Sequence, residues 1–253
     1  MMNAAPRRLP IDMVVRRSFL FAWESRAALM APLLIYAGIT AIADLAAMQV
    51  FGADNRAAVF LITILEQIFG MAFAVGIHRF VLLAETPAGF RFFRWDRNFV
   101  QYVVVALLLL IIGASALLMA VGALGGDPTA QPPAASGVGA LVSLFIMIFA
   151  ALILSRFSLA LPATALADPV RPRQIWQMTV GNGWRLVATA MLVVLPFFML
   201  DALYIQILGG DGIAKIVLIA MLRLTATVQL VVTTIMLSLS YDVLIRGGGP
   251  TSR

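Results

Sequence analysis

Four charged side chains interrupt long apolar runs in this sequence, and their types are the ones that could do chemistry. They are Asp44, Glu66, Asp201 and Arg223, and Glu66 stands in the run "ITILEQIFG", residues 62–70. A lone ionised group in hydrocarbon costs several kcal/mol, so such groups are paired, hydrated or functional. Carboxylates beside a guanidinium could form a substrate or ion pathway, or they could neutralise one another as a structural ion pair.

The composition predicts that membrane-spanning helices carry these charges. Hydrophobic residues make up 62% of the chain and charged residues 12%, with a mean hydropathy of +1.00, whereas soluble domains are about one quarter charged. A helix needs roughly 20 apolar residues to cross a bilayer. We predict an all-α, polytopic membrane protein with one domain over residues 1–253. Its six spans are predicted at residues 28–50, 57–83, 98–122, 138–162, 185–208 and 213–244.

The last predicted span is longer than a bilayer requires, so we expect it to tilt or to emerge into the cytoplasm. Most of the 18 basic residues lie before the first span, between the second and third, between the fourth and fifth, and at the C-terminus. The opposite side carries only Arg56 and Lys215, and Arg223 falls within a span. By the positive-inside rule, both termini are cytoplasmic.

We interpret the net charge of +6 as a result of the membrane topology, which places arginines on the cytoplasmic side. There they are expected to contact the anionic headgroups of membrane lipids. No soluble fold is predicted to present a basic patch to nucleic acid, so we expect no nucleic-acid partner. A membrane-protein complex is a further candidate partner. The chain contains no cysteine, which excludes disulfides and thiolate nucleophiles.

Three cytoplasmic segments share one order of residues: a proline, a stretch of mixed apolar and basic residues, and then Trp and Arg before the next span. They are "PIDMVVRRSFLFAWESR", "PAGFRFFRWDR" and "PVRPRQIWQMTVGNGWR". Apolar residues of the first recur at helical spacing, which is typical of a helix lying in the membrane interface. These residues are Ile11, Val14, Val15, Phe19 and Ala22.

The pattern predicts three repeats, at residues 10–83, 86–164 and 170–245, each an amphipathic interfacial helix followed by a transmembrane hairpin. The alternative is that cytoplasmic loops are basic and that interfaces collect tryptophan. The predicted interfacial anchors are Trp23, Trp95, Trp184, Arg79 and Arg156.

Two stretches resemble a known group of bacterial proteins. "SRFSLALPATALADPVRPRQIWQMTVGNGWRLVATAMLVVLP", residues 155–196, and "HRFVLLAETPAGFRFFRWDRNF", residues 78–99, are similar to junctions in six-span inner-membrane proteins related to the membrane domain of glycerophosphoryl diester phosphodiesterases. The resemblance implies a six-span bundle in the bacterial inner membrane. It implies no reaction, because we expect six spans to leave no room for a separate catalytic domain.

The four span charges are predicted at similar depth in the outer half of the bilayer, at about 1.5 Å per residue. They lie roughly 12–15 Å inward from Gly52, Arg56, Gly209 and Lys215, respectively. Arg223 is therefore the predicted partner of Glu66, or of Asp44 or Asp201. We interpret Glu66 as a member of a buried polar cluster that ties the second span to the sixth. Two glutamines are further hydrogen-bonding candidates: Gln67 and Gln229. Three acids against one arginine keep a substrate or ion pathway as an alternative.

His78 is the only histidine and is predicted to lie at the cytoplasmic end of the second span. One imidazole cannot complete a zinc site that needs three or four protein ligands. A Ser–His arrangement would have to use His78, which is predicted far in depth from the buried acids. We therefore expect an interfacial hydrogen-bonding residue, and no catalytic residue, metal or cofactor.

Two functions from different classes follow. The first is a non-enzymatic scaffold, an assembly or accessory subunit, or a protein of membrane-lipid organisation. The second is a small transporter or lipid-translocating protein that uses the charged cluster. A water-filled cavity reaching all four charges would favour transport, whereas a closed bundle with Glu66 and Arg223 in contact would favour the scaffold.

Overall fold

A computed structural model of the protein describes residues 8–47, 55–86, 89–124, 137–168, 170–208 and 213–247. Regular structure within these ranges is helical, as predicted. Nine α-helices follow one another in the described ranges: α1 (Ile11–Glu24), α2 (Arg26–Ala46), α3 (Arg56–Leu83), α4 (Arg97–Ala123), α5 (Gly137–Phe157), α6 (Ala160–Ala165), α7 (Pro172–Met178), α8 (Gly183–Leu208) and α9 (Ile213–Tyr241).

Six segments are long and apolar enough to cross a membrane: Arg26–Ala46, Ala57–Leu83, Arg97–Ala123, Val138–Ala165, Gly183–Ile207 and Ala214–Arg246. They confirm the six predicted spans to within a few residues, although residues 48–50 of the first lie outside the described ranges. Helices form here because hydrocarbon offers the backbone no partner, so each segment must satisfy its own N–H and C=O groups. Side chains cap the N-termini of α3 and α4. Asn55 accepts a hydrogen bond from the Ala58 N–H at 3.2 Å, and Asp96 accepts one from the Phe99 N–H at 3.1 Å.

α9 is the central helix of the fold, because it packs against α1, α2, α3 and α8. Its hydroxyl side chains donate to carbonyls four residues earlier on the same helix, as Thr227 does to Arg223 and Thr234 to Leu230, both at 2.7 Å. These bonds let polar side chains sit in apolar surroundings. Val231 and Ile235 of the same helix are buried among residues of α2 and α3.

The apolar stripe of α1 has a protein partner. Val14 is buried, and Val15, Phe19 and Ala22 pack against the core cluster that α8 and α9 contribute to. Ser18 lies on the same face, fully buried, and its hydroxyl donates to the Val14 carbonyl at 2.7 Å. The helical period of this stripe is therefore used to dock α1 on the bundle.

The middle segment differs from the predicted amphipathic helix. Its described part, from Gly89 onward, contains a four-residue 3₁₀ helix, Gly89–Phe92, before α4 begins at Arg97. The backbone turns at Ala84 and Gly89, which have φ values of 55° and 57°, in the left-handed region where a right-handed helix cannot continue. Phe92 and Phe93, here called the aromatic wedge, are then buried against α3. The middle segment therefore packs into the bundle through these two rings.

The last span ends in packed surroundings. A five-residue π-helical turn, Asp242–Arg246, continues α9. The Tyr241 hydroxyl donates to the Asp168 carboxylate at 2.9 Å, and the Arg246 guanidinium donates to the Leu82 carbonyl at 3.4 Å. Because Tyr241 is fully buried, the extra length of this span serves packing between segments that are distant in sequence.

Gly76 on α3 allows the aromatic wedge to approach. A Cβ at this position would overlap the Phe92 carbonyl oxygen and would lie 2.7 Å from the ring atom Cδ1. We expect Gly76→Ala to lower the melting temperature, although alanine favours a helix by about 1 kcal/mol over glycine. The measurement is thermal unfolding in detergent, followed by size-exclusion chromatography.

Gly38→Ala on α2 is the matched control, because no described atom beyond its chain neighbours and its own helix backbone lies within 4 Å of a Cβ placed there. It should leave the melting temperature unchanged or raise it. Equal stability of Gly76→Ala and wild type would show that the wedge does not need this approach.

Candidate functional site

Arg223 joins three spans at the candidate site. Its Nε and Nη2 groups donate to the two carboxylate oxygens of Asp44 on α2. The same Nη2 lies 3.1 Å from Oε2 of Glu66 on α3. The predicted contact between Glu66 and Arg223 is confirmed, and Asp44 forms a two-point pair that a guanidinium is shaped to make.

Burial increases across this cluster from the guanidinium to Glu66. The Arg223 side chain is 31% exposed, that of Asp44 24% and that of Glu66 8%. An ionised carboxylate as buried as Glu66 depends on its cationic neighbour, because little water reaches it. With two carboxylates against one guanidinium, the ionised cluster has an excess of one negative charge.

The structure does not bring Asp201 into this cluster, and the prediction that grouped it with the other three charges is wrong. Asp201 lies on α8, which packs against α9, α5 and α1, whereas Arg223 faces α2 and α3. Its Oδ1 atom is buried and finds no hydrogen-bond partner in the described part of the chain. Equal depth was predicted from residue spacing, but depth does not fix the direction in which a helix points its side chain.

A cavity of about 290 Å³ lies beside Arg223, between α2, α3, α4 and α9. Its polar lining comprises Tyr36, Thr40, Gln67, Tyr102, Arg223 and Thr227. The hydroxyl of Thr40 donates to carbonyls of α2, so its remaining lone pairs can accept hydrogen bonds. A polar cavity of this size has room for several waters at roughly 30 Å³ each.

Both outcomes that were predicted to separate the two functions are therefore present in part. Glu66 and Arg223 are in contact, and of the four charges the cavity is lined by Arg223 but not by Asp44, Glu66 or Asp201. Of the two glutamine candidates, Gln67 lines the cavity, whereas Gln229 does not.

His78 is fully buried, which differs from the predicted interfacial position. Its Nδ1 lies 2.8 Å from Oγ of Ser238 on α9, and its Nε2 lies 3.5 Å from the hydroxyl of Tyr102 on α4. Ser238 donates its own proton to the Thr234 carbonyl at 2.9 Å. All of these bonds are satisfied when Nδ1–H donates to Ser238 and Nε2 accepts from Tyr102. The imidazole thus links α3, α4 and α9.

The predicted aromatic anchors are exposed side chains. Trp23, Trp95 and Trp184 all present large apolar surface, as a lipid-facing or interfacial residue does. Arg156 stacks instead on Trp176, with its guanidinium carbon 4.3 Å from the ring centroid. Sequence reasoning missed this partner.

Gly183 provides the space for the Arg156 guanidinium, since a Cβ there would lie 2.9 Å from its Nε. The signal for the stack was present in the sequence as a fourth tryptophan on the short segment before α8.

Arg79, the other predicted anchor residue, points into the protein. Its Nε donates to Oε2 of Glu85 at 3.0 Å, and its Nη1 donates to the Ala165 carbonyl at 3.2 Å. Glu85 also pairs with Arg94. This network ties the end of α3 to α6 and to the segment before α4.

A second, apolar cavity of about 570 Å³ was not predicted. It forms a groove between α4 and the α6–α7 segment. Its α4 wall contains Gln101, Val104, Leu108 and Ile112, which recur at helical spacing on one face. The opposite wall contains Phe157, Ala160, Ala163, Thr164, Val170, Pro172 and Ile175.

The chain matches no known protein-family model, no characterised protein and no solved structure. Within the described ranges, no group of three or more His, Asp or Glu residues could hold a metal ion. The functional interpretation therefore depends on the two cavities and the charges around them.

The pairing of Glu85 predicts a pH-dependent stability. The hydrogen bond from Arg79, with a further one from Arg94, lowers the pKa of Glu85 below its ordinary value of 4.5. A carboxylate whose pKa is lower in the folded state stabilises the fold fully at a pH above its pKa in the unfolded chain. This stabilisation is lost as the pH falls through its pKa in the folded state. We expect Glu85→Gln to lower the melting temperature at pH 7, and the difference from wild type to shrink below pH 4.5.

Glu24→Gln is the matched control, because Glu24 is more than half exposed and its ion-pair partner in the described part of the chain is Arg17, at 3.2 Å. It should change the melting temperature little at any pH. A Glu85→Gln deficit that is constant across this range would contradict a role for the ionised carboxylate.

Proposed function

We propose that this chain is a non-enzymatic integral membrane protein of the bacterial inner membrane that organises membrane lipid by holding an acyl chain. The observation that carries the proposal is the apolar groove between α4 and the α6–α7 segment, with a volume of about 570 Å³. Cavities of roughly 300–1,000 Å³ are the size that binds small molecules.

The groove has the depth that an acyl chain requires. From Val100 to Ile112, the α4 wall rises about 18 Å at roughly 1.5 Å per residue. One leaflet contributes about half of the roughly 30 Å hydrocarbon core. Because α4 begins the third span at Arg97, the groove lies along the half of the helix nearest its arginine-rich end.

The proposed orientation places both termini in the cytoplasm. Three arginine contacts hold the arginine-rich helix ends together: Arg79 with the Ala165 carbonyl, Arg185 with the Leu9 carbonyl at 2.8 Å, and Arg246 with the Leu82 carbonyl. Lys215 lies in the first turn of the last span, at the other end of the bundle. A one-sided collection of arginine supports this orientation through the positive-inside rule.

A non-catalytic function is supported by how the reactive side chains are used. The Asp44 and Glu66 carboxylates are engaged by Arg223. The His78 imidazole has a partner for each ring nitrogen, and it is fully buried. These groups stabilise contacts between helices, as satisfied polar networks do inside a helix bundle.

Transport of a polar solute is the second candidate function, and the polar cavity beside Arg223 favours it. The cavity has about half the volume of the groove and is lined by hydroxyl, amide and guanidinium groups. Charged residues that face a cavity inside a membrane mark transport pathways in many proteins.

The test is purification in native nanodiscs, followed by mass spectrometry of retained lipids, small solutes and proteins. We expect wild type to retain a lipid at fixed stoichiometry, and Leu108→Trp to lose it, because an indole in the groove wall fills the space. Leu110→Trp is the control, since Leu110 is as exposed as Leu108, at 59% against 56%, but does not line the groove.

Equal lipid retention by Leu108→Trp and wild type would contradict the proposal. A retained polar solute in place of lipid would favour transport, and a stoichiometric protein partner would favour an accessory subunit.

A further inference from the structure

The groove has a basic mouth. Arg97 lies on α4 one helical turn before Gln101, so it continues the stripe of residues that line the groove. On the opposite wall, Arg171 lies between the lining residues Val170 and Pro172, and Arg173 follows. All three arginines are exposed.

None of the three has an ion-pair partner among residues 8–47, 55–86, 89–124, 137–168, 170–208 and 213–247. Two acids occur nearby in sequence, and each is already engaged. Asp96 caps α4 through the Phe99 N–H, and Asp168 accepts from the Tyr241 hydroxyl. Both carboxylates keep their negative charge, so the three arginines against these two acids leave the mouth with an excess of one positive charge.

The positions of the arginines match the layout of a phospholipid. Arg97 is the first residue of the third span, where the headgroup region begins and arginine side chains reach the phosphates. From this end, the apolar walls extend inward over the depth of one leaflet. Charge at the mouth and hydrocarbon below it complement an anionic headgroup and its acyl chain.

We propose that the occupant of the groove is an anionic phospholipid, with one acyl chain against Leu108 and Ala160 and its phosphate held by Arg97, Arg171 and Arg173. This inference rests on the proposed lipid-organising function and names the lipid class. A zwitterionic lipid would enter the same groove but would be held less firmly, because its own cationic group opposes the arginines.

The experiment measures which lipid the protein retains from a defined mixture. Full-length protein is reconstituted in nanodiscs of equal parts phosphatidylglycerol and phosphatidylcholine, extracted gently, and analysed by native mass spectrometry. We expect wild type to retain phosphatidylglycerol preferentially. The variant Arg97→Gln/Arg171→Gln/Arg173→Gln should reduce that preference about threefold or more, while still binding lipid.

The charge-matched control is Arg8→Gln/Arg16→Gln/Arg26→Gln, which removes three exposed arginines from the N-terminal region. It should keep the preference of wild type, so that a change of net charge alone cannot explain the result. Thermal unfolding of each variant verifies that the fold is intact.

The outcomes distinguish a failure of the anionic-lipid inference from a failure of the proposed lipid-organising function. If the first triple variant keeps the full preference while Leu108→Trp still loses lipid, the assignment of an anionic lipid is overturned and the groove function stands. If both triple variants lose the preference equally, attraction is diffuse and the mouth is not a headgroup site. If Leu108→Trp also retains wild-type lipid, both the inference and the proposed function fail.

Discussion

A guanidinium inside a membrane span must be neutralised by groups from other helices, and this requirement at Arg223 determines how α2, α3 and α9 meet. Asp44 and Glu66 supply the compensating carboxylates from two different helices. An isolated arginine at this depth would be costly, and removal of Arg223 would leave two carboxylates that hydrocarbon cannot solvate. The ion pairs therefore specify the relative depth and rotation of the three helices.

The remaining helices pack around α2, α3 and α9, and α4 borders both the polar cavity and the apolar groove. One face of α4 presents Tyr102 to the polar cavity, and another presents Leu108 to the apolar groove. The helix is held chiefly by α5 and α6 and by the hydrogen bond between Tyr102 and His78. The two proposed functions thus depend on different faces of one helix, and a ligand in either space would contact it.

The sequence predicts the spans and the pairing of Glu66 with Arg223, because hydropathy and depth can both be read from residue spacing. It could not place Asp201, since the rotation of α8 depends on packing against α9 that no local pattern encodes. His78 was predicted at an interface because burial of a helix end by distant segments leaves no periodic signal. The groove was missed for a related reason: its walls are about 60 residues apart in sequence, and the α4 stripe alone resembles any lipid-facing helix.

The most direct test of the account is a double-mutant cycle on Arg223 and its two acids, measured as the free energy of unfolding in mixed micelles. Arg223→Met should cost the most, up to the roughly 3–5 kcal/mol typical of a broken buried pair, and Glu66→Gln or Asp44→Asn should each cost less. Each double replacement should recover part of the loss, while Lys215→Met at the exposed end of α9 changes little. Additive losses would contradict the claim that these charges hold the three helices together.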